Sequence, residues 1–345
     1  MRSPADPSDS LFEDPASPGP ARVRPAEHDD ALVRLGRHLP PSVFLGTSSW
    51  SFPGWQGIVY GDAYGESTLA REGLAAYSQH PVLRAVGIDR SFYQPLPPSE
   101  FARYARQVPP GFRFLVKAPA LIADAYVRSE RGAPTQPNPH FLDASAATEQ
   151  FVIPALQGLG ERAGPLVFQL SPLPRPMSTG EAGHATIEKL GVFLSALPRA
   201  VGPYTPLYAV ELRSPELLTP RFIRMLRECG ARLTIGVHAN MPAAARQSAA
   251  LRALDALPKE GDDWRLKGPL VVRWNLHSGL RYDDAKGRYA PFDRLLDPDI
   301  ATRGALAHLV HVALKSGQPS FIIANNKAEG SAPLTLVELA KAIVA

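Results

Sequence analysis

The chain has 345 residues, 45% hydrophobic and 20% charged, an ordinary globular balance that excludes a wholly disordered or fibrous class. A formal charge of +4 and a pI near 9.2 are only mildly basic, so nucleic acid is neither required nor excluded as a partner. The single cysteine, Cys229, rules out an internal disulfide and a cysteine-based zinc cluster, which fits a reducing cytoplasm, and no run approaches the ~18 apolar residues of a membrane span.

Residues 1–28 are rich in Pro, Ala, Ser and Asp with almost no large apolar side chain. Such a stretch cannot bury enough surface to offset its ordering entropy and reads as a disordered leader, without the basic and apolar regions of a signal peptide. Residues 29–345 read as one domain. From Val43 onward short apolar runs alternate with helical patterns. The expected strands are 43–48, 85–89, 112–118, 165–170, 207–213, 232–237, 269–275 and 320–325, several apolar on both parities, as in strands covered on both faces. Between them, Phe101, Tyr104, Ala105 and Val108 follow helical spacing, as do Ile187, Leu190, Leu194 and Leu197. The same holds for Phe222, Met225, Leu226 and Cys229, for Leu306, Leu309, Val310 and Ala313, and for Leu336, Leu339, Ala340 and Ile343. Thr219-Pro220 and Gly230 supply the N-cap, first-turn proline and C-cap of the third, which places Cys229 in the core. Further helices are expected near 67–80, 143–158 and 242–257. Repeated β-α units imply a parallel sheet; eight of them, with no dinucleotide fingerprint, match a closed (β/α)₈ TIM barrel, α/β in class.

In such a barrel the site lies at the C-terminal strand ends, and there this chain gathers polar residues. Thr47 and Trp50 follow the first strand. Asp89, Arg90 and Tyr93 follow the second, Lys117 ends the third and Gln169 the fourth. Glu211 and Arg213 end the fifth, and His238 follows the sixth. Arg273, Asn275 and His277 belong to the seventh, and Asn325, Asn326 and Lys327 to the eighth. Strand alternation gives Glu211 and Arg213 one parity, Lys117 that of Leu115, and Arg273 that of Asn275. A charged pair is disfavoured against the helix layer, so these side chains are expected inside, near the mouth. Converging cations need an anion. Either Glu211 and the arginines satisfy one another, or the mouth takes a phosphate, sulfate, carboxylate or nucleic-acid backbone.

Two loops stand out. The one after the first strand, from Ser49-Trp50 through Gly54-Trp55-Gln56-Gly57 to Tyr60 and Tyr64, is either a stacking platform or a loop anchored on its own rings. The one at 277–299 interleaves Arg281, Tyr282, Lys286, Arg288, Tyr289 and Arg294, as in segments that touch nucleic acid, although a solvated lid would look alike. His238, His277, Glu211 and Asp89 are conceivable metal ligands, but no ligand spacing motif supports them, and no metal is assigned. No organic cofactor motif is present either.

Gly46-Thr47-Ser48-Ser49-Trp50 followed by Gly54-Trp55-Gln56-Gly57 resembles the opening signature of the YecE-like family, domain of unknown function 72. Ser91-Phe92-Tyr93, Phe112-Arg113-Phe114 through Val116-Lys117-Ala118, Gly164 to Leu170, Val210-Glu211-Leu212-Arg213, and Asn325-Asn326 with Gly330 resemble its further motifs, in order, over about residues 43–342. The resemblance implies a (β/α)₈ barrel of no settled activity, with fold-level kinship to metal-dependent barrels acting on sugars or abasic DNA. The chain departs from the pattern. Gly87 stands where the family has Glu, Asp89 where it has Asn, Arg90 in place of a small polar residue, and Ser214 where His follows the Arg; Arg273 to His277 matches the Arg-Leu-His-Gly segment only with a shift.

Three functions follow as expectations. The first is an enzyme, a hydrolase or a lyase or isomerase of an anionic, phosphorylated substrate. In it Glu211 is general acid or base, His238 or His277 is the second proton carrier, and Lys117, Arg213 and Arg273 hold the anion. The second is a non-catalytic nucleic-acid binder using loop 277–299, and the third a small-anion binder. No membrane partner is expected.

Overall fold

The short β-branched runs form parallel strands in the computed structural model, which describes residues 23–129, 133–255, 264–277 and 279–345. In chain order the strands are β1 (Val43–Thr47), β2 (Leu83–Ile88), β3 (Arg113–Lys117), β4 (Tyr126–Arg128), β5 (Pro134–Pro137), β6 (Ala163–Gln169), β7 (Leu207–Glu211), β8 (Arg232–Val237), β9 (Leu270–Trp274) and β10 (Ser320–Ala324). β4 and β5 pair antiparallel as a separate hairpin, which the sequence pattern did not lead us to expect. The other eight pair in sequence, and β10 returns to β1 with Val43 opposite Ser320 and Thr47 opposite Ala324. The fold is the closed (β/α)₈ barrel.

Helices Glu66–Tyr77, Pro98–Ala105, Gly180–Ala196, Pro220–Cys229, Ala244–Asp255, Ile300–Lys315 and Ala332–Val344 wrap the cylinder, with a segmented helix over 144–159 between the hairpin and β6. Pro220–Cys229 shows the local logic. Thr219 Oγ1 accepts the Phe222 N–H at 3.3 Å, Gly230 closes the helix at φ +66°, and Phe222, Ile223, Met225, Leu226 and Cys229 are buried.

Two apolar regions hold the barrel. The larger lies between strands and helices. The smaller fills the interior with Ala85, Leu115, Val167, Ala209, Val271 and Ile323, and Phe44 packs beneath. With side chains alternating along each strand, the residues two further on point inward again and form a polar layer above this plug: Lys117, Gln169, Glu211, Arg273 and Asn325.

Residues 23–28, expected within the disordered leader, pack on the barrel. Val23 and Ala26 are buried, Ala26 N–H donates to Val59 O at 3.0 Å, and Arg24 pairs with Asp62 at 2.8 Å. Small apolar side chains and one ion pair suffice where a finished surface is there to receive them. Residues 1–22 of that leader lie outside the described residues. Helix Asp30–His38 follows, capped by Asp29, which accepts the Leu32 N–H at 2.7 Å. Among the described residues no helix is long and apolar enough to cross a membrane.

Candidate active site

Arg273 organises the mouth. It is 2% exposed, and its Nη1 donates to Gln169 Oε1 and to Glu211 Oε2, each at 2.8 Å. Its Nη2 reaches both Asp89 oxygens at 2.9 and 2.7 Å. The fully buried Glu211 presents its other oxygen to Arg213 Nη2 at 2.7 Å and to Asn275 Nδ2 at 3.1 Å. Gln169 Oε1 also accepts from Arg213 at 3.0 Å. Gly236 makes room for this arrangement, since a Cβ there would lie 3.2 Å from Glu211 Oε1. Residues from β6, β7 and β9 and from the end of β2 thus close one network across the barrel, the convergence that strand parity led us to expect.

Charge within the network is unevenly shared. Burial raises the Glu211 carboxyl, but Arg213 and Arg273 outweigh burial and hold it below the usual range. Burial lowers Arg273, yet Asp89 and Glu211 overcome that and raise it. Burial lowers Arg213. Glu211 therefore stays ionised, and both of its oxygens are occupied by cationic or amide donors. A carboxylate so engaged positions two guanidinium groups. His238 is pushed down to about 4, by burial first and then by Arg213, so it is neutral at pH 7; its Nδ1 accepts the Asn240 N–H at 3.4 Å.

Lys117 differs from its neighbours. Its side chain is 8% exposed, and the ammonium lies over the Phe92 ring, 3.5 Å from the centroid. Among the described residues it has no hydrogen-bond or ion-pair partner. Burial lowers it to about 7, with the attraction of Asp89 opposed by the repulsion of Arg273. Phe92 entered the sequence reading only as part of the Phe-Tyr motif; nothing in the sequence marked it as the ring facing Lys117.

The remaining expected residues divide. Asn325 lies on the same rim, with Nδ2 donating to Ser48 Oγ at 2.9 Å, and its Oδ1 meets Lys327 Nζ at 3.4 Å. His277 N–H donates to Lys327 O at 2.8 Å, and the residue borders a shallow hollow with Arg288 and Asp297 instead of joining the Glu211 network. Tyr93 is 85% exposed, and Arg90 turns toward Glu100 at 3.8 Å and Tyr104. Four others are structural. Asn326 Oδ1 accepts the Ala332 N–H of the last helix at 2.8 Å and the Trp55 indole N–H at 3.3 Å. Thr47 bonds Ser49 O and the Tyr77 hydroxyl, and the Trp50 indole N–H donates to Leu69 O at 3.1 Å. Trp50 and Trp55 are buried at 7% and 0% exposure, and Tyr60 hydroxyl donates to Trp50 O. The loop after β1 is therefore anchored on its own rings and offers no open stacking platform, because its indoles find core partners first.

Loop 277–299 contains helix Tyr282–Tyr289. Tyr289 is buried, its hydroxyl donating to Asp297 at 2.6 Å, while Arg288 pairs with Asp297 at 2.6 Å and Arg294 with Asp293 at 3.6 Å. Among the described residues no group of three His, Cys, Asp or Glu side chains is placed to hold a metal ion. A surface hollow of about 840 Å³ lies between helices Gly180–Ala196 and Pro220–Cys229 on the outer wall, away from the mouth.

The family model described as "Protein of unknown function DUF72" matches residues 44–345. No curated protein matches the sequence. Among solved structures, a DUF72 family protein from Enterococcus faecalis is 18% identical with a TM-score of 0.55, over 87% of this chain and 95% of that one. A DUF72 family protein from Thermotoga maritima is 19% identical with a TM-score of 0.54, over 87% and 98%. At these identities the likeness shows the fold alone. The ordered motifs, the closed barrel and a family match over nearly all of the described barrel together say that the chain belongs to the DUF72 family.

Proposed function

We propose that this protein is an enzyme acting on a small anionic substrate held at the C-terminal mouth of the barrel. Lys117 and Arg213 would contact the anion, and Asp89, Glu211, Gln169 and Arg273 would keep them in place. The observation that carries the reading is that Lys117 and Arg213 both keep N–H donors unspent at the mouth. Among the described residues Lys117 Nζ meets only the Phe92 ring, and Arg213 spends only Nη2, leaving Nη1 and Nε without a partner. Arg213 and Arg273 face two carboxylates, and Lys117 adds a positive charge for a ligand whenever it holds its proton. A purely structural network accounts for Glu211 and Arg273 but leaves Lys117 without a purpose, and leaving a buried donor unsatisfied is costly.

The test is titration with inorganic phosphate and sulfate, followed by thermal denaturation and calorimetry. A hundredfold excess over Kd is expected to stabilise the native state by about 2.7 kcal/mol. Arg213→Gln and Lys117→Met should lose most of this response, while Arg288→Gln in loop 277–299 keeps it. A wild-type protein indifferent to both anions removes the reading.

A further inference from the structure

The network leaves one group in the mouth unexplained. A lysine retained only as a counter-ion would be drawn onto a carboxylate, but here both carboxylates are already taken. Asp89 is held by Arg273, and Glu211 by Arg273, Arg213 and Asn275. The amine rests instead on an aromatic face, 3.5 Å from the Phe92 centroid, at the end of β3 and inside the rim. Guanidinium groups keep their protons across the working pH range, so among these cations lysine is the one able to become a free base. A desolvated amine next to fixed cations is the arrangement that makes lysine a nucleophile toward carbonyl carbon.

We infer that Lys117 forms an imine with the carbonyl carbon of a small anionic oxo compound, whose carboxylate or phosphate is held by Arg213; this rests on the anion-binding reading above. The lone pair of the neutral amine attacks the carbonyl carbon, and the π pair moves to oxygen. A proton passes from the new ammonium nitrogen to that oxygen, giving a carbinolamine. Loss of the second nitrogen proton and protonation of the hydroxyl release one water as the C=N bond forms. Amine and carbonyl thus become imine and water, with nothing oxidised or reduced. Asp89 is the charged neighbour that acts most strongly on Lys117, and its side chain is 31% exposed, so water can reach the amine beside it to carry the protons.

The experiment incubates the full chain with glyoxylate or with glyceraldehyde 3-phosphate at pH 7.5, adds sodium borohydride to reduce any C=N bond to a stable secondary amine, and maps the product by mass spectrometry. The two probes distinguish a carboxylate from a phosphate as the anionic group. The expected result is one adduct per chain, on Lys117, formed roughly a hundredfold faster than on surface lysines, whose amines are almost fully protonated at that pH. Excess inorganic phosphate should suppress it, and Lys117→Arg should abolish it. Adducts scattered over surface lysines with Lys117 unmodified overturn the imine. If phosphate still stabilises the protein in that case, the anion site stands without it; if phosphate has no effect, both readings fall.

Discussion

At Lys117 removal from water competes with the pull of nearby carboxylates, and removal from water dominates. The charged groups facing the amine are Asp89 just after β2, Glu211 at the end of β7, Arg213 two residues beyond it, and Arg273 from β9. Two of them raise the proton affinity and two lower it, while burial, the largest influence, brings it down to about 7. The sign of the stability effect follows. Between about pH 7 and the unfolded value near 10.5 the unfolded chain binds a proton that the folded chain does not, so stability rises with pH through that window. Measured against Lys117→Met, which carries no proton there, the wild type should gain up to about 1.4 kcal/mol per pH unit in urea denaturation between pH 7.5 and 9.5. A difference that stays flat over those pH values would show that the amine keeps an ordinary affinity. Glu211 shows the opposite balance: its arginines outweigh burial and hold it below the usual carboxylate range.

Among the connecting elements, the loop after β1 and the segment before helix Ile300–Lys315 are locked together. Phe52 meets Phe292 edge to face at 5.8 Å, Trp55 reaches Asn326, and Gly54 passes so close to Pro291 that a Cβ would lie 1.8 Å from its carbonyl oxygen. Backbone cannot yield as a side-chain tip can. Gly54→Ala is therefore expected to cost about 1–3 kcal/mol in chemical denaturation and to raise amide exchange in residues 289–297 above the rest of the chain. Unchanged exchange there would mean that the two loops move independently. The other device in this region is Glu329. Fully buried, it takes two 2.8 Å bonds from Arg303 and accepts the Asp299 N–H at 2.6 Å, binding the turn after β10 to the helix before it. In sequence a carboxylate in a loop looks solvated; its arginine arrives from 26 positions away.

Taken as a whole, the molecule carries a formal charge of +4, yet its long loop after β9 holds no positive surplus. Residues 277–299 hold Arg281, Lys286, Arg288 and Arg294 against Asp283, Asp284, Asp293, Asp297 and Asp299, so the segment is net acidic, and two of its arginines are paired internally. Electrostatic attraction to phosphodiester backbone needs the reverse balance. Fluorescence anisotropy with a single-stranded oligonucleotide at 50 mM salt should accordingly show no binding tighter than ~10⁻⁴ M; saturable, salt-sensitive binding would restore a nucleic-acid role for that loop. The sequence alone determined the eight strands, their closure into a barrel, the capped helix Pro220–Cys229, and which of Lys117, Glu211, Arg213 and Arg273 would point inward. Those properties follow from local backbone geometry and a two-residue alternation that any reader of the chain can count. It left open whether Trp50 and Trp55 would stack on a ligand or on the core, whether Glu211 would hold a proton, and whether Lys117 would be charged. Desolvation and pairing belong to the surroundings that distant segments assemble, here the ends of β2, β3, β6, β7 and β9, and only the folded barrel brings those ends within reach of one another.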